Sequence, residues 1–130
     1  MKRWLEGSSA RPAARGWGAL AAGDFERARR WFEALVLYAS ADGRVWRGLA
    51  AAVHAQGDHA SAWMYWNMVT LIESGPPDAT FYAARCLAQL GDLVGASEGF
   101  DLVAHDERAE PAMRSQAAQM LALLQQRRAS

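Results

Sequence analysis

Gly57-Asp58-His59-Ala60-Ser61-Ala62-Trp63-Met64-Tyr65-Trp66 holds the pattern that organises the whole chain. A Gly-Asp pair is followed by a small residue four positions after the aspartate, and by a large aromatic four positions after that. The same skeleton stands 34 residues upstream as Gly23-Asp24, Ala28 and Phe32, and 34 residues downstream as Gly91-Asp92, Ala96 and Phe100. Glycine tolerates the left-handed backbone that closes a helix, and an aspartate after it can cap the next helix. Steps of four place the alanine and the aromatic on one helical face. Each skeleton therefore marks the joint of a helical hairpin, and the joint recurs.

Working outward from the joints, the spacing predicts helices over about 11–22, 25–39, 43–56, 59–73, 77–90 and 93–105. A seventh, over about 111–127, opens on Pro111, 34 residues after Pro77, and proline suits the first helical turn. A helix–turn–helix unit of about 34 residues is the length of the tetratricopeptide repeat. Trp46 and Leu49 fall where that repeat places its tryptophan and leucine. Gly16, Ala50 and Ala84 form its small column. The expected fold is all-α: three repeats (about 9–42, 43–76 and 77–110) stacked as a right-handed solenoid in a single domain. Met113, Ala117, Met120, Leu121 and Leu124 give the last helix an apolar stripe, as expected of a terminal cap. Trp4 and Leu5 could pack on the first repeat, while Gly7-Ser8-Ser9 reads as a short lead-in.

Composition narrows the function. Among 130 residues, 14 basic and 14 acidic side chains leave no net charge, so nothing argues for a nucleic-acid partner. One cysteine, Cys86, rules out an internal disulfide and suits a reducing compartment. The N-terminal residues lack the apolar core of a signal peptide, and no apolar run reaches the roughly 18 residues of a membrane span. The expectation is a soluble cytoplasmic protein that does not insert into membranes. Arg27, Arg29 and Arg30 are interleaved with acids and read as a solvated convex face. His105 to Glu110 reads as a solvated connection, and Trp63 and Tyr65 as mainly packing residues with some exposure.

In a tetratricopeptide solenoid the first helix of each repeat lines the concave side. Carried onto this numbering, that face takes Trp17, Leu20 and Ala21 from repeat one. Repeat two supplies Arg44, Arg47, Ala51, His54 and Ala55, and repeat three supplies Asp78, Phe81, Arg85, Ala88 and Gln89. Aromatic anchors, small residues that leave pockets, and arginines suit an extended peptide. The peptide-binding set is Trp17, Leu20, Arg44, Arg47, Ala51, His54, Phe81, Arg85 and Gln89. Arg47 and Phe81 are expected to be exposed enough that replacing them weakens peptide binding without lowering the melting temperature.

The middle of the chain carries a narrower resemblance. Phe32-Glu33-Ala34-Leu35, Asp42-Gly43-Arg44-Val45-Trp46-Arg47-Gly48-Leu49-Ala50-Ala51 and Phe81-Tyr82-Ala83-Ala84-Arg85-Cys86-Leu87-Ala88-Gln89-Leu90-Gly91-Asp92 are followed by Ala96-Ser97-Glu98-Gly99-Phe100. From Gly16 to Ala104 this resembles the class II chaperones of bacterial type III secretion (the SycD/LcrH type). The resemblance implies a non-enzymatic cytoplasmic chaperone whose clients are hydrophobic translocator proteins, held by an extended N-terminal segment. Three departures stand out. Arg85 replaces the family's usual glutamate, and tryptophans occupy positions 31, 63 and 66. Only about ten residues precede the first repeat, where the family carries a longer extension that contributes to dimers, so a homodimer stays open.

Two other readings are weighed against this one. A general protein–protein scaffold would share the fold without chaperoning an exported client. A hydrolase would use Cys86 as nucleophile with His54 as base, but a free cysteine on a packing side is commonly an inert small hydrophobe. His54, His59 and His105 show no ligand spacing such as H-x-x-x-H, so neither a metal nor another cofactor is expected.

Overall fold

The computed structural model describes residues 10–129. Trp4, Leu5 and the Gly7-Ser8-Ser9 lead-in lie outside the described residues. The elements are α1 (Ala10–Ala21), α2 (Phe25–Val36), α3 (Gly43–Ala55), α4 (His59–Ile72), α5 (Pro77–Gln89), α6 (Leu93–Ala104) and α7 (Pro111–Ala129). There is no strand among the described residues. Each helix packs on the next, and α1 also touches α3, which sets the first helices of successive hairpins side by side.

The three Gly-Asp joints share one geometry. Gly23, Gly57 and Gly91 have φ of 79°, 79° and 88°, the left-handed region that disfavours side chains. The Asp58 amide donates to the Val53 carbonyl at 3.0 Å, and the Gly57 amide donates to the His54 carbonyl at 2.9 Å. This Schellman closure satisfies carbonyls at the helix end. Asp24→Ala19 with Gly23→Leu20, and Asp92→Leu87 with Gly91→Ala88, repeat it. Each aspartate then turns to the following helix. The side chains of Asp24, Asp58 and Asp92 accept from the amides of Arg27, Ser61 and Gly95 at 3.2, 3.1 and 2.9 Å.

The joints aim the helices, and the aromatic column locks them. Phe32 and Phe100 are fully buried and Trp66 nearly so. Each meets an aromatic from a first helix: Phe32 with Trp17 at 5.2 Å, Trp66 with Tyr82 at 5.0 Å, and Phe100 with Phe81 at 5.5 Å between centroids. Phe32 sits so close to Gly16 and Gly48 that a Cβ on Gly48 would overlap its ring. Glycine here is a requirement of contact between repeats one and two. Tyr82 touches both the core around Phe32 and Trp66 and the core around Phe100, so the hydrophobic interior runs on from one hairpin to the next. It ends under α7, where Ala117 and Leu124 are buried and Met113, Met120 and Leu121 pack alongside.

Some boundaries differ from expectation. The second helix ends at Val36, three residues short, because this joint has no glycine. The chain tightens through Leu37 and Tyr38, with the Ala39 amide donating to the Leu35 carbonyl at 2.9 Å. The connection before Pro111 is less passive than expected. Arg108 chelates Asp106 and reaches back to the carbonyls of Ser74 and Gly75 at 3.3 and 2.8 Å, tying the last joint to the previous one. Trp63 and Tyr65 are half-buried against the core. Arg29 pairs with Glu33 and reaches Gln56 and Asp58 of the next repeat.

Gly57→Ala meets open space, so only the left-handed backbone opposes it. We expect a loss of about 1–2 kcal/mol in urea denaturation, and Asp58→Ala a loss of about 1 kcal/mol from the missing cap. Unchanged midpoints in both variants would contradict the joint's role.

Candidate functional site

The exposed side chains of the first helices fall into register. On α1, Trp17 is 42% exposed and Ala21 is exposed, with Leu20 half-buried beside them. On α3, Arg44 and Ala55 are exposed while Ala51 and His54 are half-buried. On α5, Arg85 and Gln89 are exposed and Ala88 is half-buried. Between them Val45, Leu49, Ala52 and Val53 turn into the core. The helical period thus divides α3 into a buried face and an accessible stripe, as the sequence suggests.

Two expected members of that stripe are corrected. Phe81 is only 5% exposed, packed edge-on against Tyr82 and Phe100. It is a core residue joining α5 to α6. Arg47 is committed to the fold: its guanidinium donates to both Glu73 carboxylate oxygens at 2.9–3.2 Å and to both Asp78 oxygens at 2.6 and 3.1 Å. One arginine of α3 therefore holds the end of α4 and the first turn of α5. Asp78, also expected on the face, is spent in this contact. Burial raises the Asp78 carboxyl, but the hydrogen bonds and charge of Arg47 outweigh it and hold the group below its usual range.

The remaining cations differ. Arg44 folds back onto Asp42 in a bidentate pair with its side chain 71% exposed. Arg85 makes no ion pair with a described residue, and its charge is felt by His54 and Cys86. Burial first, then Arg85 and His59, lower the His54 pKa, so this imidazole is neutral at neutral pH.

Two of the histidines, for which the sequence shows no ligand spacing, meet a cysteine in the fold. His54 in the last turn of α3, His59 at the start of α4, and Cys86 on α5 converge, with Cys86 Sγ 4.0 Å from His54 Nδ1. One ligand-type atom from each residue lies within 4.8 Å of the others. The joint itself could have signalled this, because a Schellman turn at Gly57 folds the residues just before it onto those just after.

No family model matches the chain. Low calcium response locus protein H of Yersinia pestis is 32% identical over 80 residues, covering 62% of this chain. That match spans 48% of the relative, so the chain accounts for about half the length of its curated relatives. The solved structure of PcrH (Pseudomonas aeruginosa) with the chaperone binding region of PopD superposes with a TM-score of 0.85 at 30% identity, covering 95% of both chains. The chain belongs to the type III secretion translocator chaperones. Within that family, the Yersinia enterocolitica chaperone SycD shares the fold at a TM-score of 0.86 and 22% identity, over 100% of this chain and 89% of that one. The helical solenoid of these translocator chaperones is thus the fold described above. Among the described residues no helix is long and apolar enough to cross a membrane.

The corrected positions separate packing from binding. Phe81→Ala should cost about 3–5 kcal/mol in chemical denaturation, the range for deleting a buried phenylalanine. Arg85→Gln should leave the denaturation midpoint unchanged, since that side chain is exposed and has no ion pair among the described residues. Equal midpoints for the two variants would contradict this division.

Proposed function

We propose that the chain is a cytoplasmic, non-enzymatic chaperone of type III secretion. It holds an extended segment of a hydrophobic translocator along α1, α3 and α5 and keeps that client soluble before export. The three repeats over 9–42, 43–76 and 77–110, with α7 as the cap, act as one domain within residues 1–130. The observation that carries this reading is the accessible stripe in which Trp17, Ala51, His54, Arg85 and Gln89 recur on adjacent first helices. The related complexes support it: PcrH holds the chaperone binding region of PopD, and SycD holds a peptide of the translocator YopD.

The stripe suits an extended chain in three ways. An extended segment rises about 3.3 Å per residue. Crossing three helices spaced about 8–10 Å apart therefore needs about six residues. Ala21, Ala51, Ala55 and Ala88 are small, so alternate client side chains can settle between helices, with Trp17 and the half-buried Leu20 offering apolar contact at one end. Arg44, Arg85, His54 and Gln89 can bond client carbonyls or acidic groups, and Arg85 makes no ion pair with a described residue. With Arg47 and Phe81 assigned to the fold, binding rests on Trp17, Leu20, Arg44, Ala51, His54, Arg85 and Gln89. Such a shallow, mixed surface masks a client's apolar anchors while leaving release accessible. SycD also forms an alternative dimer, which keeps a homodimer within the proposal.

The test is co-expression with a type III secretion translocator, followed by peptide titration. The soluble yield of the translocator should rise and the two chains should co-purify. Ala51→Arg, which fills the centre of the stripe with a side chain free to extend into solvent, should weaken peptide binding about tenfold, or 1.4 kcal/mol, with an unchanged melting curve. No gain in translocator solubility, together with equal peptide affinity in the variant, would reject the reading in favour of a general scaffold.

A further inference from the structure

Cys86 is fully buried on α5, while the half-buried rings of His54 and His59 approach it from either side of the Gly57 joint. The two imidazoles stand edge to face with centroids 6.0 Å apart. Cys86 Sγ lies 4.0 Å from His54 Nδ1, and one donor atom from each of the three residues falls within 4.8 Å of the others. His59 Nδ1 is buried and has no hydrogen-bond partner. Buried polar atoms in folded proteins are nearly always paired, so an orphaned nitrogen on one ring of this cluster points to a missing ligand.

We propose that His54, His59 and Cys86 form a binding site for a thiophilic divalent cation, with zinc as the best match. A thiolate and two imidazoles are a donor set suited to zinc, and three protein ligands leave a fourth tetrahedral position for water. Tetrahedral ligands at zinc distances lie about 3.3–3.6 Å apart, so the donors must close by about 1 Å. Side-chain rotation at the helix ends flanking Gly57 can supply that movement.

The protonation states are compatible with loading. Burial raises the Cys86 thiol, a shift that Arg85 partly opposes, so the metal-free thiol is neutral. Burial first, then Arg85 and His59, lower the His54 pKa, which keeps the one in-plane lone pair of its ring available. Binding would form one metal–sulfur and two metal–nitrogen bonds, releasing the single thiol proton to solvent. No oxidant or reductant is needed. The charge of Arg85 works against a cation nearby, which holds the affinity below that of an all-thiolate site. The ligands come from both helices of repeat two and from α5 of repeat three, so a bound ion would pin the two repeats together.

The full chain, reduced and stripped with chelator, is titrated with cobalt(II), and the cobalt is then displaced by zinc. One equivalent of cobalt should give a thiolate-to-cobalt charge-transfer band and tetrahedral ligand-field bands, all lost on zinc addition. Cys86→Ala should abolish the charge-transfer band, and His54→Gln and His59→Gln should each weaken zinc at least about tenfold. Circular dichroism confirms that each variant is folded, and the two histidine variants suffice if Cys86→Ala is not. Absence of the band in the folded wild-type protein, or unchanged zinc affinity in both folded histidine variants, would overturn the site. Because the titration uses the chaperone alone, its outcome does not depend on the client reading.

Discussion

The structure depends on a two-residue constraint: a glycine held at positive φ and an aspartate that serves two helices. The glycine lets the chain reverse within one turn, and the aspartate's amide closes the outgoing helix while its carboxylate opens the incoming one. Because Gly23, Gly57 and Gly91 share nearly the same φ, and their aspartates cap at the same offset, the three hairpins leave their joints in one orientation. A single hairpin cannot bury its apolar face alone, so stacking follows. The aromatics at 32, 66 and 100 then fill the seams, and α7 lays its apolar stripe over the end of the core.

This constraint also explains what could be read in the sequence. The joints, the small and aromatic columns and the terminal cap are local patterns repeated at a fixed interval, and all three stand in the structure as the period implies. The period assigns each residue to a face, but it does not say how deep the residue lies on that face. Phe81 belongs to the stripe by register, yet Tyr82 and Phe100 cover it. Arg47 looks like a groove cation by register, yet Glu73, folded back by the hairpin of repeat two, and Asp78, brought near by the stacking of repeat three on repeat two, occupy its guanidinium. Both differences turn on partners that lie outside the residue's own helix, Phe100 for Phe81 and Glu73 and Asp78 for Arg47, which a single-helix pattern cannot place.

The same limit hid the His54–His59–Cys86 convergence. Their sequence separations match no ligand motif, because the spacing is set by a turn and a repeat seam and not by one helix. Where joints lack glycine, boundaries were also less legible, as at Leu37 and Tyr38. Arg85 is unpaired among the described residues, faces solvent and lies beside the cluster, so a positive charge stands on the proposed client face.

In the proposed function the accessible stripe of the first helices meets the client and the second helices do not, although both sets of helices contribute buried residues to the interior. That division is read most directly by two-dimensional amide NMR of the labelled chain, titrated with the chaperone-binding segment of a type III secretion translocator. Shift changes should concentrate on α1, α3 and α5, around Trp17, Ala51, His54, Arg85 and Gln89, with α2, α4 and α6 nearly silent. Perturbations centred on α2, α4 and α6 would contradict that division.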